Sequence, residues 1–215
     1  ETIKKLGIKV ILSPNLCTVY GRGLNGYIFK KNLIINARNS GTLGRLILGI
    51  LVNAPKTIKL IGDKSLSKRD FKRIAEPLSK FGAKFILKNN KTLPLKITGS
   101  SNLKPITYFE KRGSAQCKTS VIFAGMKSPG TTVINSKKSR NHTELLCKYL
   151  NLPVTVKNKK NYDEIKIKKV EKIKPINYNI PSDISSSAFF MVLTALNFNS
   201  ELVIKNVNVN QSRIG

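Results

Sequence analysis

The chain has 215 residues, of which 39 are Lys or Arg and 11 are Asp or Glu, so its formal net charge is +28. A hydrophobic content of 40% is typical of a folded globular protein and argues against disorder. The longest nearly uncharged apolar run, 46–54, is too short to span a membrane, and the N-terminus lacks the apolar core of a signal peptide. Cys17, Cys117 and Cys147 are widely spaced, without CxxC or metal-ligand spacing, and we interpret them as free thiols in a reducing cytoplasm.

The positive charge raises the question of nucleic-acid binding. The lysines are spread along the whole chain beside many Asn and Ile, a pattern that suits an AT-rich coding bias at least as well as a selected binding surface. No zinc-finger spacing and no aromatic RNA-binding sequence accompanies them. We therefore expect neither a nucleic-acid nor a membrane partner, and we note that a positive field also attracts small phosphorylated acids.

An internal repeat of about 70 residues is visible in the chain. LKPITY at 103–108 recurs as IKPINY at 173–178. Three apolar segments each follow a group of small polar residues: LGRLILGIL after 39–42, CKTSVIFAG after 113–116, and SAFFMVLTAL after 183–186. Ser, Thr, Asn and Asp accept the free N–H groups at a helix start, so this pattern predicts three buried helices with polar N-termini.

Each predicted helix is followed by a turn and a short apolar strand, at Thr57–Ile61, Thr131–Ile134 and Glu201–Ile204. A basic residue then recurs at a matching place, as Arg69, Arg140 and Arg213. The first two precede amphipathic helices, FKRIAEPLSKFGA and HTELLCKYLNL. A β-α-β-α-β-β order repeated at this length predicts an α/β fold in which two or more units share one core.

The motifs of these repeats resemble those of the 5-enolpyruvylshikimate-3-phosphate synthase family. They are NSGTLGRL at 39–46, GDKSLSKRDFKRIAEPLSKFGA at 62–83, SAQCKTSVIFAG at 114–125, SRNHTE at 139–144, PSDISSSAFF at 181–190 and NVNVNQSRIG at 206–215. The resemblance implies the two-domain enolpyruvyl transferase fold, an inside-out α/β barrel of βαβαββ units. It makes 1–178 most of the second domain, without its first part, and 179–215 the truncated start of a returning first-domain segment.

The resemblance also implies a transferase, a 3-phosphoshikimate 1-carboxyvinyltransferase of the shikimate pathway to chorismate and the aromatic amino acids. Such an enzyme moves the enolpyruvyl group of phosphoenolpyruvate onto the 5-hydroxyl of shikimate 3-phosphate and releases phosphate. It uses no metal and no cofactor, its partners are its two small-molecule substrates, and it is expected to be a cytoplasmic monomer at full length. The family's acid/base residues lie outside this chain, so no catalytic residue is assigned and the chain alone is expected to be inactive.

Both substrates are polyanions, and the planar fork of Arg suits carboxylate and phosphate groups. The resemblance assigns phosphoenolpyruvate binding to Gly41, Arg69 and Gln116, and adds Asn39, Thr42 and Arg45 as further candidates. Gly41 and Thr42 precede a predicted helix, where free N–H groups and the helix dipole favour an anion. Asn39 is interpreted either as the cap of that helix or as a support for the ligand-binding residues.

Shikimate 3-phosphate binding is assigned by the same resemblance to Ser114, Ala115, Gln116 and Arg140, with Ser139 as a further candidate and a predicted helix cap. His142, the only histidine, is assigned to a helix and not to the chemistry. Asp183 is predicted to cap the third apolar helix.

Several positions depart from the family pattern, among them Asp70 in place of Pro and Asn141 in place of Asp. Asp70 adds a negative charge beside Arg69. Two alternatives to the enolpyruvyl transferase of the shikimate pathway therefore remain open. One is a non-catalytic basic binding module on the same fold, which the flanking genomic sequence would distinguish from an enzyme. The other is the sister enolpyruvyl transferase that acts on UDP-N-acetylglucosamine, whose reactive Cys is missing from the corresponding stretch KSLSKRD.

Overall fold

The computed structural model describes residues 1–214 and has an α/β architecture. Its elements in chain order are α1 (Thr2–Lys5), β1 (Lys9–Ser13), β2 (Leu16–Tyr20), β3 (Leu33–Asn36), α2 (Gly41–Ile50), β4 (Ile58–Ile61), a short 3-10 helix (Leu66–Lys68), α3 (Lys72–Lys80), β5 (Lys84–Lys88), β6 (Thr92–Thr98), β7 (Thr107–Glu110), α4 (Ala115–Gly125), β8 (Thr131–Lys137), α5 (His142–Tyr149), β9 (Val154–Asn158), β10 (Tyr162–Lys168) and α6 (Ile184–Ala195).

Two four-stranded sheets share one topology. The first has the order β3-β4-β6-β5 and the second has the order β7-β8-β10-β9. In each sheet the first pair is parallel (β3 with β4, β7 with β8) and the other two pairs are antiparallel. The predicted βαβαββ repeat is therefore confirmed. The strands β1 and β2 form a separate antiparallel hairpin.

The strands of both sheets alternate between buried and exposed side chains. In β6 the buried positions are Leu93, Leu95 and Ile97, and in β10 they are Ile165 and Ile167. Because side chains alternate between the two faces of a strand, one face of each sheet packs against the helices. Helices α2 and α4 and the two sheets therefore enclose one hydrophobic core.

The contact between α2 and α4 joins the two repeats. Thr42 meets Gln116 near the start of both helices, and Gly49 meets Ser120 further along, so the two helices run in the same direction. The Ser120 hydroxyl donates a hydrogen bond of 2.9 Å to the carbonyl of Arg45. A Cβ on Gly49 would lie only 2.1 Å from the Ser120 carbonyl oxygen, so glycine allows this close approach. As a result, the N-termini of α2 and α4 lie side by side.

The C-terminal segment corrects two predictions. Helix α6 forms and Asp183 caps it as predicted, accepting a hydrogen bond of 3.1 Å from the Ser185 amide. The prediction that α6 is buried is wrong, because none of its residues is buried within residues 1–214. The strand predicted at Glu201–Ile204 is also absent from the described chain, where a parallel bridge between Ser182 and Val207 is the pairing that holds this segment. An isolated apolar stretch does not become a strand without a neighbour for its backbone groups.

No helix in the described part of the chain has both the length and the apolar character needed to cross a membrane.

The close approach at Gly49 predicts a stability effect. The substitution Gly49→Ala should lower the free energy of unfolding by roughly 1–3 kcal/mol, because the new methyl group clashes with backbone and not with a movable side chain. This cost should exceed the gain in helix propensity of about 1 kcal/mol. Urea unfolding measures the effect, and Gly21→Ala is the control because a Cβ there meets no atom within 4 Å. Equal stabilities of the two variants would contradict the proposed packing.

Candidate anion-binding site

The start of each central helix is capped by a serine. The hydroxyl of Ser40 accepts a hydrogen bond of 3.1 Å from the amide of Leu43 in α2. The hydroxyl of Ser114 accepts one of 3.3 Å from the amide of Cys117 in α4. Ser114 is thus the cap of α4, and Ser40, not Asn39, is the cap of α2. These caps fix two adjacent helix N-termini, each with a partial positive charge.

Side chains from the two helices form a short chain of hydrogen bonds across the interface. The guanidinium of Arg45 donates through Nη1 to Oε1 of Gln116, at 2.7 Å. The amide nitrogen of Gln116 donates in turn to Oγ1 of Thr42, at 2.8 Å. Three residues that the sequence assigned to the candidate site are thus in direct contact, although 71 positions separate Arg45 from Gln116.

Arg69 reaches the same place from the turn that follows β4. A Cβ on Gly41 would lie 2.8 Å from Nη1 of Arg45 and 3.2 Å from Nη1 of Arg69. The two guanidinium groups therefore converge on the first residue of α2, where glycine leaves the room that they occupy. Next to them, an open cavity of about 640 Å³ is lined by Asp63, Lys64, Ser65, Lys68 and Arg69.

Asp63 organises the turn that carries Arg69. Its carboxylate accepts a hydrogen bond of 2.7 Å from the Leu66 amide and another from the side-chain amide of Asn39. The hydrogen bond from Leu66 and then that from Asn39 lower the pKa of Asp63 below its ordinary value. Asn39 therefore supports the turn, which is the second of its two predicted roles.

Arg45 is buried without an ion-pair partner among residues 1–214, although Asp70 lies close enough to raise its pKa in part. It is 9% exposed, and its Nε has no hydrogen-bond partner among residues 1–214. Burial, and then the neighbouring positive charges of Arg73 and Arg69, lower the pKa of Arg45 below its ordinary value. A bound anion would relieve both the desolvation and the repulsion between the guanidinium groups.

The turn after β8 lies beside the start of α4, because β7 and β8 are parallel and Glu110 is in register with Ser136. Glu110 also accepts a hydrogen bond of 2.7 Å from the amide of Ser114. Arg140 is exposed on the neighbouring turn, and no hydrogen bond within the described residues joins it to Arg45 or Arg69.

The predicted cap at Ser139 is wrong. The N-cap of α5 is Asn141, and the Ser139 hydroxyl is buried without a hydrogen-bond partner among residues 1–214. The side-chain oxygen of Asn141 instead accepts from Asn210, at 2.9 Å, and from Ser212, at 3.0 Å. The turn is thereby tied to the C-terminal segment, a tertiary contact that a local capping pattern cannot reveal.

Sequence reasoning missed other contributors to this region. Asp63 lies in a recognised motif, but no role was predicted for it. Phe71 was predicted only as part of a helix, although the centre of its ring lies 5.3 Å from the guanidinium carbon of Arg45. The ion pair between Lys118 and Glu144 was also missed, although both residues lie inside recognised motifs. No three His, Cys, Asp or Glu side chains are grouped as a metal site in the portion of the chain that the structure describes.

Comparison with known proteins agrees with this fold. The sequence model of the EPSP synthase (3-phosphoshikimate 1-carboxyvinyltransferase) family matches residues 1–215. The chain therefore belongs to the EPSP synthase family.

Individual relatives and solved structures match over nearly the whole chain. A 3-phosphoshikimate 1-carboxyvinyltransferase of Streptococcus agalactiae serotype III (strain NEM316) is 36% identical over 217 residues, covering 100% of this chain and 50% of the relative. One from Caldicellulosiruptor bescii is 44% identical over 188 residues, covering 85% and 42%. The structure of EPSP synthase from Acinetobacter baumannii superimposes with a TM-score of 0.83 at 33% identity, covering 98% of this chain and 47% of that one. The chain thus spans about half the length of the relatives that it matches.

The turn at Asp63 provides a pH-dependent prediction. Because the folded-state pKa is lowered, the carboxylate stabilises the turn fully above its ordinary pKa of 3.8, and this contribution is lost as the pH falls through the folded-state pKa. In an NMR titration of the chain, the Asp63 carboxyl should therefore titrate below pH 3.8, and the Leu66 amide resonance should follow it. The Asp63→Asn variant is the control and should show no such transition at Leu66. A midpoint at or above pH 3.8 would contradict the assignment.

Proposed function

We propose that this chain carries substrate-binding segments of an enzyme that transfers the enolpyruvyl group of phosphoenolpyruvate to the 5-hydroxyl of shikimate 3-phosphate. The observation that supports this most is the convergence of Gly41, Arg45, Arg69 and Gln116 at the adjacent N-termini of α2 and α4. The relatives are named for the same activity. None of those names refers to the sister reaction on UDP-N-acetylglucosamine, and the chain lacks that family's Cys motif.

In the proposed site, phosphoenolpyruvate lies at the start of α2. Its carboxylate and phosphate groups provide the negative charge that Arg45 and Arg69 lack, and the Gly41 and Thr42 amides provide further donors. Shikimate 3-phosphate lies at the start of α4. Its phosphate group is bound by the Ser114 hydroxyl and the Ala115 amide, with Arg140 and the buried hydroxyl of Ser139 beside it, while the Ser114 amide stays hydrogen-bonded to Glu110.

Gln116 lies between the two substrates and orients both. Its amide already contacts Arg45 and Thr42, so a substrate at either helix start changes the environment of the same side chain. These residues bind, orient and exclude water. In the reaction, the 5-hydroxyl oxygen forms a bond to the substituted enolpyruvyl carbon, the bond from that carbon to the phosphate oxygen breaks, and the hydroxyl proton is lost. The acid/base groups for this step come from outside the chain.

The family resemblance supports further parts of the proposal. Residues 1–178 would belong to one domain and 179–215 would return to the other, which agrees with the exposed apolar surface of α6. The full-length protein would be a cytoplasmic monomer, and the free thiols of Cys17, Cys117 and Cys147 fit a reducing compartment.

The direct test of the function is phosphate release from phosphoenolpyruvate in the presence of shikimate 3-phosphate. We compare the 215-residue chain with an extended version, in which the flanking segments of the S. agalactiae relative continue the chain at both ends. The extended version should release phosphate only when both substrates are present. The chain alone should show no turnover, because general acid/base groups contribute about 10²–10⁴-fold and lost positioning adds to this. An inactive extended version would contradict the proposed function, and equal turnover by both would contradict the placement of the acid/base groups outside the chain.

Arg69 provides a residue-level test. In the extended version, Arg69→Ala should lower kcat/KM for phosphoenolpyruvate by an amount equivalent to about 2–5 kcal/mol, because a charge-assisted contact is lost. The dissociation constant for shikimate 3-phosphate alone should change far less. Lys88→Ala is the matched control, since it removes the same charge from an exposed position in β5 that does not line the cavity beside Arg69. If the variant loses as much affinity for shikimate 3-phosphate as for phosphoenolpyruvate, Arg69 is not a specific part of the phosphoenolpyruvate subsite.

A further inference from the structure

A buried ion pair connects α4 with the first turn of α5. The Lys118 Nζ lies 2.6 Å from Oε1 of Glu144, and the two residues are only 1% and 7% exposed. Next to this pair, the hydroxyl groups of Thr119 and Thr143 are 2.6 Å apart and share a hydrogen bond. Two consecutive residues of α4 are therefore bound to two consecutive residues of α5.

The energetic cost of burying this pair indicates that it does more than stabilise the fold. Two buried charges have a desolvation cost that their attraction often only offsets, and packed apolar residues of similar size are commonly as stable or more stable. Here Lys118 Nζ and the second carboxylate oxygen, Oε2 of Glu144, are both buried without a hydrogen-bond partner among residues 1–214. The pair thus has an energetic cost that an apolar contact would avoid. What it adds is a short charged contact between α4 and α5.

The pair lies one helical turn from both segments assigned to shikimate 3-phosphate. The Lys118 amide donates to the Ser114 carbonyl at 3.0 Å, so Lys118 belongs to the turn that begins α4. Glu144 lies in the first turn of α5, which follows the turn of Ser139 and Arg140 directly. The pair therefore joins the first turn of α4, which Ser114 caps, to the first turn of α5, which the Ser139–Arg140 turn precedes.

Three contacts hold the start of α5 and the turn before it near α4. They are the Lys118–Glu144 pair, the Thr119–Thr143 hydrogen bond and the β7–β8 pairing, which places Ser136 beside Glu110. Glu144 and Cys147 are the buried residues of α5, and Leu145 and Tyr149 are exposed. Of the three contacts, the Lys118–Glu144 pair is the one between buried charged side chains, so its length contributes to the position of the Ser139–Arg140 turn relative to α4.

We propose that Lys118 and Glu144 are positioning residues for shikimate 3-phosphate: they touch no substrate, but they set the distance between the Ser114–Gln116 segment and the Ser139–Arg140 turn that bind its phosphate group. This inference rests on the proposed function for the identity of the ligand. The rigid coupling of the two segments is independent of that function.

The first experiment tests the coupling in the 215-residue chain without any substrate. The double variant Lys118→Met/Glu144→Leu removes both charges, keeps an apolar contact and should unfold near the temperature of the unmodified chain. Its backbone amide resonances at 114–116 and 139–141 should nevertheless shift, because the two segments move apart. If the double variant keeps these resonances unchanged, the coupling is refuted. If the double variant proves unfolded, the charge-exchange variant Lys118→Glu/Glu144→Lys is measured in its place. It retains an ion pair but changes the length of each side chain, so it should shift the same resonances, and unchanged resonances would refute the coupling.

The second experiment measures substrate kinetics in the extended version, well below the unfolding midpoint of every variant. Glu144→Gln and the double variant should raise KM for shikimate 3-phosphate about tenfold and that for phosphoenolpyruvate less than about twofold, because only the former ligand spans both segments. Glu144→Asp, which keeps the charge pair, should recover part of the loss. The control is Ile165→Val, a buried substitution in β10 that lowers stability and should leave both KM values unchanged.

The outcomes separate the two proposals. A double variant with normal stability and a normal KM for shikimate 3-phosphate would overturn the positioning role and leave the proposed function intact. An unmodified extended version without phosphate release would overturn the proposed function, while the resonance shifts in the 215-residue chain would still decide the coupling.

Discussion

The contact between α2 and α4 is the constraint on which the site depends. Each helix belongs to its own βαβαββ unit, and each begins at the carboxyl edge of a parallel strand pair. Gly49 allows the two helices to pack closely, and they run in the same direction, so their N-termini lie side by side. Two helix dipoles, Arg45 and Arg69 then act on the same small volume, and Gln116 spans the interface between the repeats. One packing contact therefore brings the two repeated units together at the site proposed to bind two anions.

The local features of this arrangement were predictable from the sequence. The repeat, the central helices and the cap at Asp183 follow from the hydrophobic pattern and from the chemistry of short polar side chains. The carboxylate of Asp70 accepts a hydrogen bond of 3.3 Å from the Arg73 amide, so it has a local role at the start of α3. That its negative charge beside Arg69 weakens anion binding stays a prediction.

Apart from the local hydrogen bond between Asp63 and Leu66, the features that sequence reasoning missed depend on tertiary contacts. The Arg45–Gln116 hydrogen bond and the Lys118–Glu144 ion pair join residues on different elements, and no local pattern specifies such partners. Helix α6 has the composition of a buried helix, but burial requires a surface to pack against, and residues 1–214 do not provide one. The same reason explains Glu201–Ile204, whose apolar residues have no neighbouring strand in the described chain.

A crystal structure of the extended version with both substrates bound would test the central claim most directly, because that claim concerns where two anions lie. The account predicts phosphoenolpyruvate between Arg45 and Arg69 at the start of α2, and the phosphate group of shikimate 3-phosphate between the Ser114 hydroxyl and Arg140. Gln116 should lie between the two ligands. Ligand density away from the N-termini of α2 and α4, or with neither guanidinium group in contact with phosphoenolpyruvate, would contradict it.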